Sequence, residues 1–358
     1  MKLKKPVLTN EQKESRRSAL TKDLKKRNLE EDTISDGKGN TKIDFDKTLV
    51  VSTGCTLLDL AICGGRVRGG GIPGGILAEY SGPSGSGKTA LAVDTAASVQ
   101  NNGGEADIMD PEARLDKEYA RIYGLKLSKK NYSRPDTVTE VFENIESWEP
   151  KNENVINAKI IDSVAALSTD LELSEKGDKR GQKKAKDLHA GCRKTARKIS
   201  KDHKLIIFTN HEMDGEYGKT NPGGKAVPYY ASLRVRIAQK RLVEETKTVR
   251  GKKITKPIGI ESECFIKKNS LDNGFRKAPL FIINGLGIDD IRGNLQWYKD
   301  STKGTKYLAV DKEYMAMKAA IKYIEDNDLE DELREMVIDL WEEIEEEFKP
   351  KRKTKKRF

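Results

Sequence analysis

The chain has 358 residues, of which 36% are hydrophobic and 35% charged, and its formal net charge is +10 at pH 7. No stretch approaches the ~18 consecutive apolar residues that a membrane-spanning helix needs. The length suits roughly two domains, or one large domain with appendages. The N-terminus, MKLKKPVLTNEQKESRR, has a basic start without an apolar core, so no secretory leader is expected. Cys55, Cys63, Cys192 and Cys264 form no C-x-x-C pair and no zinc spacing with His189, His203 or His211. They read as reduced thiols, and the expected location is the cytoplasm.

The charge is unevenly placed. Residues 1–30 carry 10 Lys/Arg against 4 Asp/Glu, and residues 349–358 carry 7 basic residues and no acid. Between them, Lys176–Lys201 holds 11 basic and 2 acidic residues, whereas Glu325–Glu347 holds 13 acidic and 1 basic. Basic runs of this density attract polyanions by counterion release, although any charge run can simply be a solvated face.

In chain order, Thr9-x-x-Gln12 is a capping box that opens a helix to about Asn28, and residues 31–48 read as a polar linker. Ile76–Tyr80 is a short strand that runs into SGPSGSGKT, and Thr89–Gln100 is a helix. Glu105–Met109 is a second strand, and Asp116–Tyr123 is a helix. Lys159–Asp162 and Leu205–Asn210 are further strands, separated by a helix over Gln182–Ser200 that carries Ala185, Leu188, Cys192 and Ile199 on one face. Strands alternating with helices predict an α/β fold with a mostly parallel sheet. After Ser232 the period turns to two (Leu233, Val235, Ile237), and strands near Glu261–Ile266 and Leu280–Ile283 predict antiparallel members. From about Asn294 the chain is mixed and then helical. The acidic block reads as an exposed helix that packs one apolar side.

Gly82-Pro83-Ser84-Gly85-Ser86-Gly87-Lys88-Thr89 fits G-x-x-x-x-G-K-[ST] between a strand and a helix. Glycines let backbone N–H groups wrap a phosphate, and the helix aims its positive end at the same place. Lys88 would reach the β/γ-phosphates, and the Thr89 hydroxyl would bind Mg²⁺. Asp162 ends a strand where a carboxylate would hold that Mg²⁺ through water. Glu112 and His211 both lie just past the C-terminal ends of strands, where open α/β sheets bind ligands. Glu112 there could orient an attacking water.

The runs VSTGCTLLDLAICGG, the glycine loop, MDPEARLDKEYA, IIDSVAAL, IIFTNHE, GGKAVPYYASLRVRI and FRKAPLFIINGLGI lie in order over residues 50–298. Together they resemble the RecA family of homologous-recombination ATPases, bacterial RecA and its phage counterparts of the UvsX type. The resemblance implies a RecA-like ATPase core at 49–293, with an N-terminal helix and linker (1–48) that docks on a neighbouring protomer. A small C-terminal domain (294–358) would carry the acidic helix and the basic tail. It implies ATP contacts from Gly82 through Ala90, with Asp116 and Tyr119 at the adenine and Glu112 as the catalytic glutamate. Two DNA-binding loops are implied. The first, about Ser174–Gln182, offers Lys176, Lys179 and Arg180, with Lys183 just beyond. The second, Met213–Gly224, offers Met213, Tyr217, Lys219, Asn221, Gly223 and Gly224. Both are polar and contain glycine, a composition that suits segments that order on binding DNA. Tyr229 matches a subunit-contact position, and Lys268 one of two cations that reach a neighbour's ATP.

Three departures stand out. His211 replaces the glutamine of bacterial RecA, as in the phage branch. Ser270 occupies the second cationic position, with Lys267 or Arg276 as the possible substitute. The extreme C-terminus is basic where bacterial RecA is acidic. The expected function is ATP-dependent assembly of a helical homo-oligomer on single-stranded DNA, pairing with homologous duplex DNA and strand exchange, with single-strand-binding and loader proteins as possible partners. The alternatives are a RecA-fold mediator or motor without strand exchange, a P-loop small-molecule kinase, and a DNA-binding protein with a vestigial P-loop. The kinase would need an arginine-bearing lid, of which the sequence gives no sign.

Overall fold

The computed structural model describes residues 49–350, apart from 171, 173–179, 216–217 and 221–223. Of residues 180–182, 213–215 and 218–220 only the backbone is described. The expected N-terminal helix and linker, and the tail from 351, lie outside the described residues.

The chain opens with β1 (Val50–Val51), α1 (Thr56–Cys63) and β2 (Ile72–Pro73), followed by the glycine-loop strand β3 (Ile76–Gly82) and α2 (Lys88–Asn101). Next come β4 (Ala106–Met109), α3 (Lys117–Ile122), β5 (Tyr132–Ser133), α4 (Val138–Glu146) and β6 (Asn157–Ile161). Then α5 (Arg180–Ile199), β7 (Lys204–His211), the short pair β8 (Met213–Gly215) and β9 (Gly218–Thr220), and α6 (Ala226–Tyr230) follow. The sheet is completed by β10 (Leu233–Val249), β11 (Lys252–Asn269), β12 (Lys277–Ile283) and β13 (Gly287–Ile288).

Nine strands form one sheet in the order β13-β12-β11-β10-β3-β7-β6-β4-β5. The run from β10 to β5 is parallel, and β10 to β13 are antiparallel. The central strands are covered on both faces, so they are apolar along their length rather than alternating with polar residues. The period of two instead divides them between two cores. Ala78, Tyr80, Ile108, Ile160 and Ile207 pack with α1 and α2. Leu77, Met109, Ile161, Ile206 and Phe208 pack with α4 and α5. On α5 the buried stripe is Leu188, Cys192, Thr195 and Ile199, as its spacing predicts.

Two features exceed the expectation. β10 and β11 are 17 and 18 residues long, and beyond Val243 and Gly259 they leave the sheet as a two-stranded arm that turns at Arg250 and Gly251. Both turn residues have positive φ, 48° and 78°, the combination of a two-residue hairpin whose twist matches its strands. The arm is mostly polar with no apolar face to bury, so the core-forming pattern shows only its base. The helices α1 and α4 are also additional to the expected elements.

The C-terminal segment contains α7 (Asp290–Ser301), the hairpin of β14 (Tyr307–Ala309) and β15 (Lys312–Tyr314), α8 (Met317–Asp326) and α9 (Glu330–Glu347). Leu295, Ala309, Ala320, Ile324 and Leu333 form a separate small core. The acidic block is therefore two helices rather than one, broken at Asn327–Leu329. Its second helix is only partly exposed. Val337, Ile338 and Trp341 join the main core, and Arg68 bridges Glu335, Asp339 and Glu342 at 2.8, 2.8 and 2.5 Å. Arg276 pairs with Asp272 and Glu345 at 3.0 and 2.5 Å and lies over Trp341. Its guanidinium is committed to holding α9 against the sheet.

Asp59 on α1, Asp94 on α2 and Asp290 at the start of α7 lie close enough for Asp59 and Asp290 to raise the carboxyl of Asp94. Asp59 accepts from Ser52 Oγ, Thr53 N and Thr53 Oγ1, and Asp290 from Thr56 N, Thr56 Oγ1 and Asn294 Nδ2. Burial pushes Asp94 up to about 7, helped by the neighbouring Asp59 and Asp290, and burial carries Asp59 to about 6. A raised carboxyl penalises the folded state only when ionised. The penalty is absent below the ordinary carboxylate range and grows as pH rises towards 7. Asp94→Asn should therefore stabilise the protein at pH 8, by about 1 kcal/mol or more, and gain little at pH 4. Urea unfolding at the two pH values checks this; an equal shift at both would rule out the ionisation.

Candidate functional site

The register of the parallel strands assembles the site. β3 and β7 pair so that Gly82 stands opposite His211, and β4 and β6 pair so that Met109 stands opposite Ile161. The residues that follow, the glycine loop, Asp110 to Glu112, Asp162 and His211, thus meet at one edge of the sheet.

The glycine loop needs its glycines. At Gly82 (φ 156°) a Cβ would lie 2.0 Å from the Ile237 carbonyl oxygen. Gly85 (φ 72°) has nothing within 4 Å of where its Cβ would sit, so the turn opens outward. Pro83, Ser84 and Gly85 are exposed, whereas Ser86 is buried and its Oγ has no hydrogen-bond partner. Ser262 Oγ donates to the Ser86 carbonyl at 2.8 Å and ties the loop to β11. Lys88 folds over the loop and donates to Gly82 O at 3.1 Å and Pro83 O at 2.8 Å. Burial lowers its pKa, against the pull of Asp162, Glu112 and Glu212. An open cradle, an orphaned hydroxyl and an ammonium satisfied only by loop carbonyls fit a phosphate chain.

Thr89 Oγ1 donates to Asp162 Oδ2 at 2.7 Å, and Thr209 Oγ1 donates to Asp162 Oδ1. Burial raises the Asp162 carboxyl, while the two hydroxyls favour its ionised form. Among the described residues no group of three His, Cys, Asp or Glu side chains could hold a metal. Mg²⁺ at a phosphate site asks for less, usually one or two protein ligands with the rest supplied by water and phosphate. The Thr89–Asp162 pair fits that demand.

Glu112 is held from three sides. Ser163 Oγ donates to its Oε1 at 2.8 Å, His211 Nε2 lies 3.1 Å from Oε1, and Arg114 Nη1 lies 2.9 Å from Oε2. Burial pushes this carboxyl up, but Ser163, His211 and Arg114 outweigh it and hold it below the usual glutamate range. It is therefore a fixed carboxylate at neutral pH.

The remaining expected positions are less concentrated. Ala90 is buried within α2. Asp116 caps α3, accepting from Tyr119 N at 2.7 Å, and the Tyr119 hydroxyl lies 3.2 Å from that of Tyr123. Lys268 Nζ donates to Tyr229 O at 2.9 Å, which joins two positions expected at a protomer seam. Tyr229 itself is 69% exposed. Lys183 is exposed and pairs with Asp187 at 2.8 Å. Gly224 has a φ of 75°. Lys176, Lys179, Tyr217, Asn221 and Gly223 lie outside the described residues, as do the side chains of Arg180, Met213 and Lys219. The basic run is not uniformly available to a polyanion. Lys184 donates to Ala165 O at 2.9 Å, and Lys198 donates to Glu146 O.

Several contributors were given no role by the sequence. Ser163, Thr209 and Arg114 complete the carboxylate network. Glu79, buried in the middle of β3, accepts from Asn210 Nδ2 at 3.1 Å and from Arg234 Nε at 2.6 Å. A charged residue within an otherwise apolar central strand was the available signal, since such a group demands a partner.

The comparisons with known proteins follow this geometry. The family model of the RecA N-terminal domain matches residues 21–289. This chain belongs to the RecA family. RecA of Petrotoga mobilis is 32% identical over 282 residues, covering 77% of this chain and 72% of that protein. RecA of Thermotoga neapolitana is 32% identical over 289 residues, covering 78% and 77%. RecA of Prochlorococcus marinus is 34% identical over 248 residues, covering 68% and 64%. The protein is a RecA-type recombinase, with the DNA-dependent ATPase activity of that family in recombination and repair. Nucleotide binding, DNA binding and filament formation come with membership. Among the described residues no helix is long and apolar enough to cross a membrane.

Thr209→Val keeps the shape of a fully buried side chain but leaves the Asp162 carboxylate one donor short. It should destabilise the protein by about 1–3 kcal/mol. Chemical denaturation measures this, and an unchanged midpoint would show that the hydroxyl contributes nothing.

Proposed function

We propose that the nucleotide is ATP with Mg²⁺, bound at the glycine loop and hydrolysed by a water that Glu112 orients. The observation that carries this is the Glu112 carboxylate, ionised and fixed by Ser163, His211 and Arg114 at the strand edge that also bears Lys88, Thr89 and Asp162. Lys88 would exchange its two loop carbonyls for phosphate oxygens, and backbone N–H groups at the start of α2 would face the same anion. Thr89 and Asp162 would hold Mg²⁺, whose charge neutralises the phosphates as the terminal one leaves. Asp116 and Tyr119 would flank the base.

In this reading the ATP lies at a seam between protomers, with Lys268 and Tyr229 on the facing side. Ser270 supplies no second cation, and neither substitute stands ready. Lys267 is tied to Glu212 at 3.0 Å and Arg276 to Glu345. Transition-state charge at the seam is therefore less fully met than with two cations, and turnover should be slow. The loops at 174–182 and 213–224 would grip single-stranded DNA mainly through its phosphates, and base pairing with homologous duplex would read the sequence. The division into a docking segment (1–48), an ATPase core (49–293) and a C-terminal domain (294–358) belongs to the same proposal; the separate core around Leu295 and Leu333 supports its last boundary. Single-strand-binding and loader partners belong to the proposal too, as does a cytoplasmic location, which four buried, unpaired cysteines favour. His211 is the residue on which a phage-type relationship rests.

ATPase activity with and without single-stranded DNA, and electron microscopy of the assembly, test the reading. Lys88→Ala should abolish turnover. Glu112→Gln should retain ATP and DNA binding but lower turnover by about 100-fold or more. Closed rings in place of a helical filament, or ATPase indifferent to DNA, would overturn the proposal.

The pH dependence follows from the held carboxylate. Glu112 must be ionised to accept a hydrogen bond from water, and its partners keep its pKa low. Removing them in Ser163→Ala or Arg114→Gln leaves burial less opposed, so the pKa rises. The acid limb of the kcat–pH profile should then move to higher pH in both variants. A limb that stays in place would assign it to another group.

A further inference from the structure

In the seam reading Ser270 carries no charge, so the neighbour's triphosphate is met by Lys268. Its availability depends on what stands beside it. β3, β10 and β11 lie side by side, and their register sets Glu79 opposite Arg234 and Arg234 opposite Lys268. One acid and two bases thus form a single row across three strands. Ala78, Tyr80, Leu233 and Val235 pack with α1 and α2, so Glu79 and Arg234 point to the other face, where α5 and α6 lie. Lys268 reaches that face too, because its Nζ donates to the Tyr229 carbonyl of α6 at 2.9 Å.

Like charges directly opposite each other destabilise a sheet, yet Arg234 and Lys268 are opposite. Burial and the Arg234 charge both hold the Lys268 ammonium below the ordinary lysine range. Glu79 accounts for the arrangement. Its side chain is 0% exposed, and it accepts from Arg234 Nε at 2.6 Å and from Asn210 Nδ2 at 3.1 Å. A buried carboxylate demands a cation. Arg234 meets that demand, and among the described residues Lys268 pairs with no carboxylate. Neighbouring strands are about 4.8 Å apart, so β3 and β11 are about 10 Å apart, within the joint reach of a glutamate and an extended lysine. Without Arg234, Glu79 would draw Lys268 inward and away from the seam. Lys267 shows that alternative fate. The ladder skips it, since Arg234 pairs with Lys268 and Val235 with Ile266, and the bulged residue is captured by Glu212 at 3.0 Å.

We propose that Arg234 is a positioning residue: it satisfies Glu79 so that Lys268, the next residue in the row, stays available to a triphosphate held by the neighbouring copy of the chain. The inference rests on the reading of Lys268 as the seam cation. It goes beyond that reading by assigning the lysine's availability to a buried ion pair that touches neither nucleotide nor DNA.

The test reads kcat for ATP hydrolysis by the full-length protein at saturating ATP and oligo-dT. Lys268→Ala should lower kcat about tenfold or more, because it removes a charge from the transition state. Arg234→Gln should lower kcat about as far with Lys268 intact, because the lysine is drawn onto Glu79. Adding Lys268→Ala to Arg234→Gln should then cost no more than about a further twofold. Glu79→Gln/Arg234→Gln removes the competing carboxylate as well, and should return kcat to within about threefold of the parent. If Arg234→Gln fails to fold, Glu79→Gln/Arg234→Glu replaces it. That variant sets a carboxylate directly opposite Lys268 with none buried at position 79, and kcat should again fall about tenfold. A parental kcat in Arg234→Gln, or in its replacement, would overturn the positioning role. So would a neutral double variant as slow as Arg234→Gln, which would mark Arg234 as merely structural. A parental kcat in Lys268→Ala would instead overturn the seam reading, and the positioning role with it.

Discussion

Parallel pairing of β3 with β7 is the constraint on which the site depends. It sets Gly82 against His211, so the phosphate loop and the end of the neighbouring strand leave the sheet at the same height. Parallel strands all end at one edge, and the side chains just past their ends border a largely apolar slab. Charges brought together there are poorly solvated and must satisfy one another. Asp162 does so through two threonine hydroxyls, and Glu112 through a serine, a histidine and an arginine. The result is a set of carboxylates whose protonation and aim are decided by the protein before any ligand arrives.

The same economy links the site to the rest of the molecule. His211 and Glu212 are adjacent in sequence but serve opposite sides of the sheet edge. The first reaches across β6 to Glu112, and the second reaches the other way, to β10 and β11. Arg234 and Lys268 continue the line, the first on Glu79 and the second on the carbonyl of Tyr229. Polar contacts therefore run from the glycine loop to the surface that carries Tyr229. The carboxylates of Glu79 and Glu212 are buried, so their contacts are costly to break.

Much of this was legible from residue order, and the legible part has a common cause. A phosphate loop needs glycines at set spacings and a strand and helix around it, so local chemistry announces it. The α/β alternation, the parallel core, the antiparallel additions after Ser232 and the apolar stripe of α5 follow from periodicity, which is also local. The arm of β10 and β11 was not legible beyond its base, because a solvated ribbon has no buried face to impose a pattern. The acidic block misled for a related reason. Its charges read as solvent-facing, whereas Arg68 and Arg276, distant in the chain, draw α9 onto the core.

By itself, the order of amino acids determined the nucleotide loop, the two carboxylates at strand ends, the RecA resemblance and the uneven charge, since each depends on neighbours within a few residues or on recurring motifs. Only the tertiary structure decided which side chains hold those carboxylates and which cations are already engaged. Ser163 and Arg114 at Glu112, Thr209 at Asp162, and Lys267 and Arg236 at Glu212 meet through strand register and one bulge. Register is a property of the assembled sheet, in which a shift of one residue would turn strand residues such as Thr209 and Arg236 to the opposite face.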